Sequence, residues 1–160
     1  MKISLLILFA GCSAVTAQTN FSNELMSEGM YFELVGSGGL YSINYEIIDT
    51  KERILRIGFS VIPELDIGPS GPILVVPHSW SKFIQKPKGF NIETGLGGSL
   101  AQIGADTYYA AYSLIGLRGQ DEIGQKSFYR LTIYPGYIVG PENGFFITAG
   151  LSIGRSFKRH

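Results

Sequence analysis

Six charged residues could bring charge chemistry to one place if the chain folds as strands: Glu33, Glu46 and Glu93, with Arg56, Arg118 and Arg130. Each lies in the polar phase of an alternating stretch: Glu33 between Phe32 and Leu34, Arg56 between Leu55 and Ile57, Arg130 between Tyr129 and Leu131. Successive side chains of a strand leave opposite faces, so all six point away from the apolar face. An isolated buried charge costs several kcal/mol. Three carboxylates and three guanidiniums in a confined interior therefore imply ion pairing, a structural charge cluster filling a lumen. The alternative use of the same groups is a narrow pore or binding site for a small polar solute.

Other candidate chemistry is sparse. His78-Ser79 invites comparison with outer-membrane lipid A deacylases, which use Ser, His and a carboxylate on a small barrel. Adjacent strand residues point to opposite faces, however, so His78 is badly placed to act as the base that a hydroxyl nucleophile needs. His160 is the only other histidine, which leaves no His-based metal cluster. Gly95-Leu96-Gly97-Gly98 follows strand periodicity and precedes no helix, unlike a phosphate loop. No catalytic residue, cofactor site or metal ligand is assigned, and the chain is expected not to be an enzyme.

The elements that would position these side chains are strands. In Gly144 to Phe157, residues Phe145, Ile147, Ala149, Leu151, Ile153 and Phe157 share one face, interrupted by Arg155. The other face, after Phe146, is Thr148, Gly150, Ser152, Gly154 and Ser156. A greasy outer face with small polar residues opposite suits a strand with lipid outside and a crowded lumen inside. Arg155, near the strand end, would snorkel to the interface. The pattern recurs at Arg53–Ile62, Phe90–Ala101, Tyr108–Gly119 and Ser127–Val139, and less cleanly at Pro72–Phe83, where Pro77 would interrupt a ladder. Connections are expected at Asp49–Glu52, Glu64–Gly71, Gln85–Gly89, Gln102–Thr107, Gln120–Lys126 and Gly140–Gly144.

Met30 to Ile48 changes phase at Gly36-Ser37-Gly38-Gly39, which marks a bulge in one bent strand or a turn between two. The first gives seven strands, the second eight. Single-chain bacterial barrels have even numbers, so the expected fold is an all-β antiparallel transmembrane barrel of about eight strands. Tyr31, Tyr45, Trp80, Tyr108, Tyr109 and Tyr137 fall near strand ends, as an interfacial girdle would.

Whole-chain features agree. The 160 residues suffice for one domain; 16% are charged, below the roughly 25% usual in soluble domains, and Gly is abundant at 21. A formal net charge of zero gives no electrostatic reason to expect nucleic acid. Lys2, the apolar run Ile3 to Ala10, and Val15-Thr16-Ala17 read as a signal peptide over residues 1–17 with Gln18 as the mature start, followed by a polar leader over 18–29 and a barrel over 30–158. The apolar run is too short to cross a bilayer as a helix, so insertion would be by strands. Cys12, the sole cysteine, sits in Leu8-Phe9-Ala10-Gly11-Cys12, which partly resembles a lipobox. Phe9 suits that motif poorly, and the favoured reading discards Cys12 with the signal peptide.

Several stretches, taken in order, resemble small outer-membrane β-barrel proteins of the Bacteroidota. They are Tyr31-Phe32-Glu33-Leu34 with Gly38 to Glu46, Arg56-Ile57-Gly58-Phe59, Ile92 to Gly97, Gly116-Leu117-Arg118, Phe128-Tyr129-Arg130-Leu131 before Pro135, and Ala149 to Gly154 ending at Phe157. The resemblance covers the expected mature chain and carries no defined activity. It implies an outer-membrane location, outer-membrane lipid and the barrel insertion machinery as partners, a monomer, and a structural or surface-interaction role. Lys158-Arg159-His160 after Phe157 departs from the terminal aromatic such proteins often carry.

Overall fold

In the computed structural model the chain is an all-β, closed antiparallel barrel of eight strands in sequential order. Residues 25–63, 72–85, 90–120, 127–141 and 143–158 are described. The expected signal peptide, Cys12, residues 18–24, the connection Glu64–Gly71, all but the first residue of the expected turns Gln85–Gly89 and Gln120–Lys126, Glu142, and Arg159 and His160 lie outside them. The strands are β1 (Leu25–Val35), β2 (Tyr41–Asp49), β3 (Arg53–Ile62), β4 (Ile73–Gln85), β5 (Phe90–Ile103), β6 (Asp106–Gly119), β7 (Ser127–Val139) and β8 (Gly144–Lys158). β1 pairs with β8 and closes the wall.

The break at Gly36–Gly39 is a turn, and the strand count is eight. Gly36 and Gly39 take φ of +92° and +87°, where glycine carries no Cβ penalty. Val35, a β-branched residue at φ +58°, takes the same left-handed region at greater cost. The first strand starts at Leu25, earlier than the polar composition of residues 18–29 implies. Ser27 and Gly29 are buried and Glu28 is half-buried, so a strand whose inner face is small and polar continues through a segment that looks like a leader. At eleven residues β1 is long enough to cross a bilayer.

Gln102–Thr107 is not a loop. β5 and β6 run on to the pair Ile103–Asp106, leaving Gly104 and Ala105 as a two-residue turn with Gly104 at φ +57°. Glycine at the first central position is what such hairpins demand. β4 is a full strand despite Pro77. Pairing with β3 lapses between Ile57–His78 and Ser60–Val75, whereas Pro77 still faces Ser99 on β5. The lapse lies where an absent N–H would be felt.

Register fixes the barrel's shape. The row of partners starting at Met30 passes through Tyr45, Ile57, His78, Gly98, Ala111 and Tyr137 to Phe145. The β8 residue actually paired with Met30 is Arg155, ten positions further on. Such a stagger goes with strands tilted about 35–45°, and eight strands enclose an interior just wide enough for side chains to fill.

The alternation is inside-out. Every strand sets large apolar residues on the exterior, among them Phe32, Ile43, Ile57, Trp80, Leu96, Ile115, Leu131 and Ile153. The interior holds glutamate, arginine, serine and tyrosine. Arg155 is exposed near the end of β8, with its guanidinium 5.9 Å from the Phe157 ring.

Candidate functional site in the barrel lumen

Glu46, projecting inward from β2, is the hub. Its Oε1 accepts from Arg118 Nη1 at 2.5 Å, and its Oε2 from Arg56 Nε at 3.2 Å and Arg130 Nη1 at 3.4 Å. Three strands thus converge on one carboxylate. Arg56 also forks onto Glu93, with Nη2 at 2.6 Å from Oε2 and Nη1 bonded to Oε1. Ser81 donates to Glu93 at 2.6 Å and accepts from Arg56 at 3.2 Å. A bidentate guanidinium–carboxylate pair is among the strongest protein hydrogen-bond arrangements.

The remaining donors reach small polar residues of the facing strands. Arg118 Nη2 donates to Ser156 at 2.9 Å and Nε to Gln120 at 2.8 Å, while its guanidinium lies 3.7 Å from the centre of the Phe128 ring. Arg130 Nη2 donates to Ser152 at 3.3 Å, and its guanidinium sits 4.3 Å from the Tyr31 ring centre. Positive groups over aromatic faces gain from the ring quadrupole, and more so when desolvated.

All six charged residues singled out in the sequence are buried in this interior. Five form one connected ion-pair network. Glu33 stands apart, held by hydroxyls: Tyr134 donates at 2.7 Å, Ser37 at 3.2 Å and Ser152 at 3.3 Å. Glycine makes this packing feasible. A Cβ on Gly150 would come within 2.6 Å of Glu33 Oε1, and one on Gly36 within 2.8 Å of its carboxyl carbon.

The lumen is layered. Ile48, Ile54 and Phe83 form an apolar cluster towards the end that carries the β2–β3 turn. There Asp49 pairs with Arg53 at 2.5 Å. The charged layer follows, then Tyr112 and Tyr134 edge to face at 5.2 Å with Leu114 and Phe146. The Tyr112 hydroxyl donates to the carbonyls of His78 and Gly98, 3.1 Å from each. The β1–β2 turn then bends into the mouth, where the Ser37 carbonyl accepts from Ser99 on β5 at 2.6 Å.

Tyr31 corrects the girdle expectation: it is buried in the lumen against Phe128, ring centres 5.9 Å apart. Its parity with Glu33 was the available signal, obscured by its place near the start of the expected strand. Gln120, expected in a turn, is buried and bonded to Arg118. Ser81 was hidden by the poor alternation around Pro77. His78 and Ser79 take opposite faces, His78 exposed and Ser79 buried. His78 Nε2 lies 3.5 Å from the Tyr109 hydroxyl on the outer wall. A depression of about 580 Å³ also lies on the outside, lined by residues such as Leu96, Ala111, Ser113, Pro135, Tyr137 and Phe145.

No family model, curated protein or solved structure matches this chain.

Proposed function

We propose that the protein is an integral outer-membrane barrel whose lumen is a structural plug, acting through its surface rather than by catalysis or conduction. The observation that carries this reading is the inversion of polarity: charges and hydroxyls inside, and exposed aliphatic and aromatic side chains on all eight strands outside. Soluble monomers rarely expose contiguous apolar patches beyond a few hundred Å². In lipid such a surface is favourable, and a closed barrel leaves the backbone paired along the crossing. The signal-peptide pattern in residues 1–17 and the resemblance to small Bacteroidota barrels support the same location.

The plug reading rests on the layered lumen, in which neutrality among Glu33, Glu46, Glu93, Arg56, Arg118 and Arg130 makes the charges tolerable. Their partners are other lumen side chains, as expected of structural ion pairs rather than of groups awaiting a solute. Fractionation of cells expressing the full chain, with heat-modifiable gel migration of the membrane fraction, tests the location. Chain that is exported but recovered only in the soluble periplasm refutes it.

A further inference from the structure

The barrel wall is incomplete at one rim. β1 and β8 pair only as far as Val35–Gly150, yet β8 continues through six more residues, Gly144–Ala149. Those six remain paired with Ile133–Ile138 of β7 on the other side. β2 and β3 pair up to Ile43–Phe59, and β3 runs on to Ile62. The short β1–β2 hairpin therefore leaves a notch, floored by its own inturned turn.

Two observations fix which backbone groups face the notch. Pro135 has no N–H, and the β6–β7 ladder lapses opposite it, between Tyr112–Gly136 and Ile115–Ile133. Its ladder side is thus β6, so its β7–β8 partner Ile147 turns its own N–H and C=O away from β7. Independently, Val35 N–H bonds Leu40 on the β2 side at 2.8 Å, so Leu34 faces β8 and bonds with Leu151. Alternation from Leu151 gives the same answer: Phe145, Ile147 and Ala149 turn three N–H and three C=O groups to a side where, among the described residues, no strand pairs with them. Among the described residues Phe145 and Ile147 are also the most exposed large apolar side chains of the wall, at 90% and 79%.

We infer that the upper edge of β8, Gly144–Ala149, is a strand-addition site that binds an extended segment of another polypeptide. An unpaired edge is a template for pairing, with main-chain bonds giving affinity and alternate side chains giving specificity. The complementary segment is extended, apolar on the side that joins Phe145 and Ile147, small on the other, and free of proline. A second copy does not fit, a point that rests on the membrane reading. Copies inserted in the same direction are related by a two-fold axis along the membrane normal. Strands tilted about 35–45° and related in that way cross at roughly 70–90° and cannot form a ladder.

The test is amide hydrogen exchange by NMR on the full chain refolded in detergent, so it does not depend on where the protein resides in cells. The probe is an acetylated, amidated octapeptide of alternating Thr and Val, compared with the same peptide N-methylated at alternate residues. Without peptide, the amides of Phe145, Ile147 and Ala149 exchange at least about 100-fold faster than those of Phe146 and Thr148, which bond to β7. The unmethylated peptide slows the three exposed amides about tenfold or more, and the methylated one does not. Ile147→Pro still folds, because proline is tolerated where the N–H faces outward from an edge, and it loses the response. The inference is overturned if the three amides are already protected without peptide, by the chain itself or by a second copy. It is equally overturned if both peptides act alike, or if neither acts.

Discussion

Removing the hub carboxylate should be the most damaging conservative change in the lumen. Glu46→Gln keeps the shape of the side chain and deletes its charge. Arg56 retains its fork onto Glu93, and Arg130, whose contact with Glu46 is the long one at 3.4 Å, is left with Ser152 and the Tyr31 face. Arg118 loses most: its 2.5 Å bond to Glu46 is the shortest of the three, and among the described residues what remains to it is Gln120, Ser156 and the Phe128 ring. Among the described residues, the buried guanidiniums of Arg118 and Arg130 would then have neutral partners only. Breaking a buried pair by deleting one partner costs about 3–5 kcal/mol, a large share of the roughly 5–15 kcal/mol that stabilises a typical domain. Removing the guanidinium as well takes away the uncompensated buried charge that makes the single change costly, so Glu46→Gln/Arg118→Met should recover about 2 kcal/mol or more of the loss. The assay is urea unfolding of the refolded barrel in phospholipid vesicles, followed by loss of the heat-modifiable gel form. The reasoning is refuted if Glu46→Gln lies within about 1 kcal/mol of the parent, or if the double variant is no more stable than the single one.

Three further outcomes follow from the same geometry. Gly58→Ala places a Cβ 1.9 Å from Asn44 Oδ1 and 2.9 Å from Pro77, whereas nothing lies within 4 Å of a Cβ on Gly144. The first change should destabilise by about 1–3 kcal/mol, and Gly144→Ala should stay within about 0.5 kcal/mol, both read from urea midpoints. Val35→Gly relieves a left-handed β-branched residue and should raise stability by about 1 kcal/mol in the same titration. In planar bilayers the parent should show no unitary conductance, and Arg118→Ser/Arg130→Ser, which empties two side chains of the charged layer, should show a small one.

Much of the barrel is legible in the sequence because the apolar exterior and the polar lumen put opposite chemistries on alternate residues. Leu55-Arg56-Ile57 and Tyr129-Arg130-Leu131 announce both strand and facing at once. The failures share a physical origin. Leu25–Gly29 lacks apolar contrast, because its inward residues Ser27 and Gly29 are as small and polar as a linker's. Gln102–Thr107 looks like a loop because its residues, apart from Ile103, are small or polar and give no alternation to follow. Pro77 reads as a break, yet it costs only a local lapse in one ladder, as Pro135 does within the strand expected there.

The lumen partners were harder to see than the lumen charges. Parity assigns Glu46, Arg118 and Arg130 to the interior, but their common meeting point depends on the ten-residue stagger around the barrel, which no single stretch encodes. The same holds for Glu33. Its phase places it inside, and only the assembled wall brings Tyr134 and Ser152 to it from β7 and β8, with Ser37 supplied by the inturned turn. The free edge of β8 is likewise a property of unequal hairpin lengths, set by where Gly36 and Gly39 turn the chain.

The central claim is that the apolar exterior meets lipid. Trp80, the single tryptophan, is on that exterior and half-exposed, opposite Leu55 and Leu96 in the ladders. The direct measurement is its fluorescence in the barrel reconstituted in vesicles, with quenching by lipids brominated along the acyl chain compared with quenching by aqueous iodide. Strong quenching by brominated lipid with iodide nearly ineffective is the expected result. Efficient quenching by iodide with no response to brominated chains would contradict it.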